Sequence, residues 1–218
     1  MIDGPDTGPA EHRYRPVFGA TADEMADRLG DDSTGHDTDH AWRVFDLGVR
    51  IAEPAGADVE VVGAAALTHD VHRAMGESMD VHPEESLDEV RAVLSAAGYP
   101  EEKVADVLHC VKVHDEYEFR GIEHEAESVE AEVLRDADDL DAMGAVGIAR
   151  TFTSGGVAGH RPRDPDGEEY SALDRFDEKL LRLREEMHTA AARAFAEERH
   201  DFMAEFVERS REEWRGEL

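Results

Sequence analysis

The sequence predicts an all-α protein, a single bundle of about eight helices. Apolar residues recur at helical spacing along most of the 218 residues. Hydrophobic residues make up 40% of the chain, but alanine and valine supply much of this share and aromatic residues only 6%, which favours helices over a β-sandwich. A chain of this length can bury one continuous core, and nothing in it requires a second domain.

The N-terminal segment differs in composition from the rest of the chain. Residues 1–20 are rich in glycine, proline and charge, and we expect them to form a flexible arm before a folded domain over residues 21–218. Thr21 has the position of an N-cap, and Met25 and Leu29 follow at helical spacing. A short first helix is therefore predicted to begin at Thr21.

Two longer helices are predicted next. The first opens within residues 35–44 and is closed by Pro54 and Gly56. Its inner face is formed by Val44, Leu47, Ile51 and Ala52. Asp58 can cap the following helix, whose run of apolar residues up to Leu67 leaves it hydrophobic on almost every side. That pattern is typical of a central helix.

The C-terminal two thirds are predicted to be helical with short interruptions. The remaining elements are, in order, a polar loop at 73–78, helices that begin at Pro83 and Pro100, a helix over 128–143, a tightly packed helix over 144–152, an irregular glycine-rich loop over 153–163, and helices over 172–187 and 188–213. In the last helix, the stripe predicted to be buried consists of Phe195, Phe202, Phe206 and Val207.

Charge excludes one large class of partners. The chain has 53 acidic and 23 basic residues, a formal charge of −30, and no extended basic stretch for double-stranded nucleic acid. The acidic residues are spread over every segment, which indicates a solvated carboxylate surface that salt would screen. We hypothesise that this is a cytoplasmic protein of a salt-accumulating halophile.

Cysteine content and hydropathy also favour the cytoplasm. Cys110 is the single cysteine and has apolar neighbours, so we expect a buried, inert thiol in a reducing compartment. The first residues lack the basic and apolar regions of a signal peptide. No apolar run is long enough to cross a membrane, so no membrane partner is expected.

Histidine-aspartate pairs are the main candidates for chemistry. They occur at His36-Asp37, His69-Asp70, His114-Asp115 and His200-Asp201. Only His69-Asp70 ends a wholly apolar run, where two buried polar groups need a partner such as a divalent metal. His200-Asp201 lies among charged residues of the last helix, and we expect a solvated surface pair there.

Three predicted helices can bring metal-binding groups to one point. His40 lies on one helix, His69 and Asp70 end a second, and Asp138 faces inward on a third. Two imidazoles and two carboxylates suit Mn²⁺, Ni²⁺, Fe²⁺ or Mg²⁺ better than a thiolate-type zinc site. The alternative is that these are ordinary core residues without a metal.

The order of these residues resembles a known family. His40, then His69-Asp70, then Asp138 is similar to the H…HD…D signature of the HD-domain metal-dependent phosphohydrolases, in particular a subgroup that includes bacterial and archaeal nucleotide pyrophosphohydrolases. The similarity extends to His114, to residues 144–150, to the glycine-rich loop and to residues 176–181.

The resemblance implies a helical HD domain and a metal site formed by His40, His69, Asp70 and Asp138. It further implies hydrolysis of a nucleotide phosphoanhydride or phosphoester by metal-activated water, with Asp70 as the catalytic residue that orients the water. Two positions depart from the family pattern. Asp139 stands where relatives commonly have arginine, and Asp115 where they often have serine.

Basic residues near these motifs are the candidates for binding substrate phosphates. They are His36, Arg43, Arg73, His109, His114, Arg150, Arg161 and Arg163. Surface ion pairs are the alternative for the arginines, and His36 can also support a metal ligand. His72 and His82 are candidates for a second metal ion.

Two functions from different classes are consistent with these features. The first is a metal-dependent phosphohydrolase that acts on a small phosphorylated substrate, most simply a nucleotide. The second is a non-catalytic, metal-containing helical protein that binds or senses a phosphorylated metabolite. Apolar stripes on the terminal helices are consistent with a homodimer in either case.

Overall fold

A computed structural model describes residues 12, 15–29, 36–75, 81–121 and 126–217. Within these ranges the fold is all-α, as predicted, with an isolated bridge between Arg161 and Ser171 in place of any strand. The α-helices are α1 (Pro16–Leu29), α2 (Thr38–Ala55), α3 (Val59–Thr68), α4 (Leu87–Ala96), α5 (Glu101–Val113), α6 (Val129–Asp141), α7 (Gly144–Val157) and α8 (Ala190–Arg215). Shorter 3₁₀ and π turns cover His69–Ala74, Pro83–Ser86, Glu118–Arg120, Phe176–Leu180 and Leu183–Glu186.

Helix α3 is the centre of the bundle, as its apolar sequence predicts. Every residue from Val61 to Thr68 is buried, and α1, α2, α5 and α6 pack around it. Its start is fixed by Asp58, whose Oδ1 accepts a hydrogen bond from Glu60 N at 2.8 Å. Because the C-terminal end of α3 lies inside the bundle, the residues that follow it are delivered into the core.

Helices α2 and α6 pack against α3 and against each other. Asp37 caps α2 by accepting a hydrogen bond from His40 N at 2.8 Å, and Gly56 ends the helix in the left-handed region at φ 76°. Ser128 caps α6 through a 3.2 Å bond from Ala131 N. These caps set the rotation of the first turn of each helix and so the direction of its polar side chains.

The first helix begins earlier than predicted. It starts at Pro16, inside the segment assigned to the arm, so Thr21 lies within the helix and is not its N-cap. The buried Thr21 hydroxyl donates to Val17 O at 2.8 Å, which satisfies it without a capping role. Most of the predicted arm, residues 1–11, 13 and 14, and loop residues 76–78 lie outside the described part of the chain.

The glycine-rich segment is more helical than predicted. Helix α7 continues through Gly155 and Gly156 to Val157, so the loop starts only at Ala158. Glycine lowers helix propensity, yet the helix continues through both residues. Gly155 lies close to residue 172, since a Cβ on it would be 3.4 Å from Ala172 Cβ.

The C-terminal elements also differ from expectation. Residues 172–187 form a π turn and a 3₁₀ turn, not one continuous helix. In α8 the prediction of a buried Phe202 is wrong, because its side chain is 51% exposed. The buried positions of α8 are Ala192, Ala196, Met203 and Val207. Phe195 and Phe206 are partly buried against the core, whereas Phe202 is exposed because it lies about 100° around the helix from the buried Met203.

Two further expectations concern the thiol and the membrane. Cys110 is buried, as predicted, and burial raises the pKa of its thiol to about 12. Among the described helices, none combines the length and the apolarity that crossing a bilayer requires.

The packing around α3 can be tested at one glycine. A Cβ at Gly63 would lie 2.7 Å from Phe45 Cε2 and 2.9 Å from Phe18 Cζ, both on buried rings. Gly63→Ala should therefore lower the free energy of unfolding by ~1–3 kcal/mol, measured by urea denaturation at one fixed salt concentration.

Gly19 provides the matched control, because it is also helical and a Cβ there would meet nothing within 4 Å. Gly19→Ala should leave the stability unchanged or raise it by ~0.5–1 kcal/mol, as alanine favours a helix over glycine. Wild-type stability in Gly63→Ala would contradict the close approach of α3 to these rings.

Candidate metal centre and the adjoining cavity

Four polar side chains from α2, α6 and the end of α3 meet in the core. His40 Nε2 lies 3.2 Å from His69 Nε2, and 3.3 Å from both Asp70 Oδ2 and Asp138 Oδ1. His69 Nε2 lies 3.4 Å from Asp70 Oδ2 and 3.8 Å from Asp138 Oδ1. Atoms that coordinate one cation at roughly 2.0–2.3 Å are separated by such distances. The structure thus brings together the four residues that the sequence selected.

The hydrogen bonds of the two imidazoles determine which ring nitrogen faces this cluster. His69 Nδ1 donates to Ala66 O at 2.8 Å, and His40 Nδ1 donates to Asp141 Oδ2 at 2.8 Å. Each Nε2 therefore turns its lone pair toward the carboxylates of Asp70 and Asp138. Four acceptor atoms facing one another repel unless a positive charge lies between them.

The pKa values of His40 and Asp70 also indicate that the cluster favours a positive charge. Burial lowers the pKa of His40, but its hydrogen bonds with Asp138, Asp141 and Asp70 outweigh this and place the pKa well above its ordinary value. Burial raises the pKa of Asp70, but the charges of His69 and His36 hold it well below its ordinary value. A donor set of two imidazole nitrogens and two carboxylate oxygens fits a divalent metal ion.

A third carboxylate, that of Asp141, supports the cluster through His40. Asp141 Oδ2 accepts from His40 Nδ1, while Arg43 Nε donates to Asp141 Oδ1 at 2.8 Å and Arg150 Nη1 to Oδ2 at 2.6 Å. Burial raises the pKa of Asp141, but these bonds and the Arg150 charge lower it to about 2. Sequence reasoning missed this role; the only signal was the i, i+3 spacing from Asp138 on α6.

A cavity of about 530 Å³ opens beside the cluster. Asp70 and Asp138 form part of its wall. Of the predicted substrate contacts, those that also line it are His36, Arg73, His114 and Arg150. His36 Nδ1 donates to Asp70 Oδ2 at 2.7 Å, and Arg73 Nε lies 3.4 Å from Asp70 Oδ1. These groups are therefore within reach of a ligand at the cluster.

Other predicted substrate contacts lie elsewhere: Arg43, His109, Arg161 and Arg163 do not line the cavity. Arg43 is bound to Asp141. His109 Nε2 accepts from Glu127 N at 3.1 Å, away from the cavity that His114 lines. The exposed Arg161 has its Nη1 3.8 Å from Asp164 Oδ1. Arg161 therefore forms a surface ion pair, which was the alternative to phosphate binding for the arginines.

The cavity wall also contains titratable residues that were not among the predicted site residues. They are Asp115, Tyr117, Asp139, His160, Tyr170, Arg175 and Lys179. They come from α6 and from segments far apart in the chain, so no local spacing relates one segment to the next. Only the folded chain brings them to the wall of the same cavity as Asp70 and Asp138.

A second group of metal-binding atoms adjoins the first. Asp70, His72 and His114 offer ligand atoms within 4.8 Å of one another, and burial lowers the pKa of His72 to about 4. His82 is exposed, and its Nδ1 accepts from Glu84 N at 3.1 Å, so it takes no part in this group.

The chain matches a known protein family. The family model described as "HD domain" matches residues 38–143, which include all four residues of the cluster. The chain is 41% identical over 184 residues to the uncharacterized protein YpgQ of Bacillus subtilis, covering 82% of this chain and 84% of YpgQ.

Solved structures agree with the sequence matches. The fold is similar to YpgQ in complex with ADP, at a TM-score of 0.66 and 35% identity over 88% of this chain and 96% of YpgQ. An HD-superfamily hydrolase from Bacillus thuringiensis gives a TM-score of 0.70 and 33% identity over 95% and 98% of the two chains. A protein from Lactobacillus plantarum gives 0.77 and 28% over 93% and 98%.

The supporting role of Asp141 leads to a prediction. Asp141→Asn removes the charge that holds His40 and its tautomer, so the affinity for Mn²⁺, measured by titration calorimetry, should fall by roughly 10- to 100-fold. Asp177→Asn is a control of the same chemistry, because Asp177 pairs with Arg211 on the surface. Equal Mn²⁺ affinity in Asp141→Asn and wild type would refute the role.

Proposed function

Because this chain belongs to the HD domain family of hydrolases, we propose that it is a metal-dependent phosphohydrolase and that its substrate is a nucleotide. One observation carries the proposal. The Nε2 atoms of His40 and His69 lie 3.2 Å apart, and each is within 3.8 Å of a carboxylate oxygen of Asp70 and of Asp138, at the wall of a cavity that also contains arginine and lysine side chains. Such a site suits a cation on one side and an anionic substrate on the other.

In this proposal the metal ligands are His40, His69, Asp70 and Asp138. The donor set suits Mn²⁺, Ni²⁺, Fe²⁺ or Mg²⁺. A divalent ion bound there supplies Lewis acidity, which neutralises phosphate charge and lowers the pKa of water. The side chains fix where that chemistry takes place, since the hydrogen bonds to Ala66 and Asp141 lock the two imidazoles.

Asp70 is the proposed catalytic residue. Its Oδ2 faces His40 and His69, whereas its Oδ1 is on the side of Arg73. Oδ1 can accept a hydrogen bond from a water molecule and so direct a lone pair of the water oxygen toward phosphorus. In the hydrolysis, the water oxygen forms the new P–O bond. The bond between phosphorus and the leaving oxygen breaks, the leaving oxygen keeps the electron pair, and one proton of the water is released.

The nucleotide assignment rests on the cavity and on a relative. About 530 Å³ is within the range of small-molecule sites, and the wall away from the cluster includes apolar residues and the neighbouring rings of His160 and Tyr170, whose centroids are 5.2 Å apart. Tyr170 is 41% exposed, so its ring is accessible to a planar base. The ADP complex of YpgQ supports a nucleotide in this family.

The cellular setting is part of the same proposal. A formal charge of −30 supports a protein that works in the cytoplasm of a salt-accumulating cell, where salt screens the carboxylate surface. The homodimer stays a prediction; Phe202 and Trp214 on α8 are the exposed aromatic residues available to it.

The enzymatic proposal is tested with Asp70→Ala and a panel of nucleotides. Wild type with Mn²⁺ or Ni²⁺ should release phosphate or pyrophosphate from at least one nucleotide, and which product forms separates a monophosphatase from a pyrophosphohydrolase. Asp70→Ala should lose this turnover by at least about 10³-fold while keeping the helical circular dichroism signal, because it removes both a ligand and the group that orients water.

Asp201→Ala is the matched control, since Asp201 belongs to another histidine-aspartate pair but its side chain is 74% exposed on α8. It should turn over substrate at the wild-type rate. Metal binding by wild type without turnover of any nucleotide would favour the non-catalytic sensor over the enzyme.

The base-binding role of Tyr170 gives a separate prediction. Loss of one stacking ring costs ~1–3 kcal/mol, so Tyr170→Ala should raise KM for the nucleotide by about tenfold, whereas Tyr170→Phe should not. KM for tripolyphosphate, which has no base, should be unchanged in both variants. Phe202→Ala is the control for an exposed aromatic outside the cavity. An equal rise in KM for tripolyphosphate would rule out stacking as the cause.

A further inference from the structure

One lysine of the cavity wall, Lys179, is given no specific role in the proposed function. The chain has only three lysines among 53 acidic residues, and two of them form ion pairs. Lys103 Nζ lies 2.6 Å from carboxylate oxygens of both Asp58 and Glu60, and Lys112 Nζ lies 3.1 Å from Glu84 Oε1. Lys179 has no carboxylate oxygen within 4.0 Å of its ammonium among the described residues, although it is the lysine that lines the cavity.

A phenol holds the Lys179 ammonium in place. Nζ donates to Tyr117 Oη at 2.9 Å and lies 4.3 Å from the centroid of the Tyr117 ring. Tyr117 Oη in turn donates to Asp139 Oδ1 at 3.1 Å, and both residues are buried. The Tyr117 hydroxyl thus lies between the Asp139 carboxylate and the Lys179 ammonium. It holds the ammonium in place without direct contact between the two charges.

The ammonium keeps donors for a ligand. A lysine has three N–H donors, and among the described residues one of them is used, by Tyr117. Burial lowers the pKa of Lys179 from its ordinary value, and the charges of Asp139, Asp115 and Asp138 act against this. Lys179 is partly exposed and lines the cavity, so its unused N–H donors are open to an anion that enters there.

Lys179 lies where a phosphate group of a substrate at the His/Asp cluster could reach it. Asp139 follows Asp138 in α6, so the support of Lys179 is built next to the His/Asp cluster. Lys179 itself lies on the π turn Phe176–Leu180, a local geometry that is frequent at functional sites. Arg73 and Arg150 also line the cavity, but their guanidinium groups already contact Asp70 and Asp141.

We propose that Lys179, positioned by Tyr117 and Asp139, binds a phosphate group of the substrate in the cavity. The identity of the anion as substrate rests on the proposed function, whereas the anion site itself rests on the contacts of Lys179. Tyr117 and Asp139 are positioning residues, because they act through the ammonium. The site is specific for phosphates and does not depend on the base.

The test measures binding of inorganic pyrophosphate by titration calorimetry, in the presence of Mn²⁺ and without turnover of a nucleotide. Lys179→Met keeps the length and the apolar stem over Tyr117 but removes the charge, and it should weaken pyrophosphate binding by about 10- to 100-fold, the value of a charge-assisted hydrogen bond. Lys112→Met is the matched control and should bind pyrophosphate as wild type does.

Tyr117→Phe tests the positioning role, since it keeps the ring and removes the hydroxyl that joins Lys179 to Asp139. Pyrophosphate affinity should fall by about threefold to tenfold, and KM for the nucleotide should rise by a similar factor while Mn²⁺ affinity stays at the wild-type value. A merely structural role would instead lower the melting temperature and the Mn²⁺ affinity together.

The outcomes separate this inference from the proposed function. Wild-type pyrophosphate affinity in Lys179→Met, or no pyrophosphate binding by wild type, would overturn the anion site even if nucleotides are hydrolysed. Loss of pyrophosphate binding in Lys179→Met, in a protein that hydrolyses no nucleotide, would support the anion site and reject the enzyme.

Discussion

The structure depends on four acceptor atoms that face one another inside a helical bundle. The imidazole Nε2 atoms of His40 and His69 lie 3.2–3.8 Å from each other and from the carboxylates of the buried Asp70 and the partly buried Asp138, which is favourable only with a positive charge among them. Helices α2, α3 and α6, which contain or deliver these groups, also pack most extensively in the core. The packing that stabilises the fold is therefore the same packing that forces the polar groups together.

Helix α6 distributes a run of aspartates among different tasks. Asp136 is fully buried and accepts hydrogen bonds from the backbone N–H groups of His188 and Thr189, which attaches the start of α8. Asp138 joins the His/Asp cluster, and Asp141 fixes the tautomer of His40. Asp139 turns toward Tyr117 instead. Because successive helical residues point about 100° apart, four similar side chains reach four separate environments.

The same distribution explains how a strongly acidic protein can bind an anion. Most basic side chains pair with the abundant carboxylates, as Arg43 does with Asp141. Asp139, at a position where an arginine would be expected from the family resemblance, is separated from the Lys179 ammonium by the Tyr117 hydroxyl. The cavity wall thus contains cationic side chains, Arg73, Arg150, Arg175 and Lys179, although the net charge of the chain is −30.

The sequence by itself determined the helical class, the central position of α3 and the four residues of the cluster, because helical periodicity and an apolar run that ends in His69-Asp70 are local signals. The tertiary structure decided that α7 runs on through its glycines, that Phe202 is exposed, and which basic groups line the cavity. It also revealed Asp141 and Lys179. These features depend on which helix faces which, and that depends on packing between segments far apart in the chain, which no local spacing encodes.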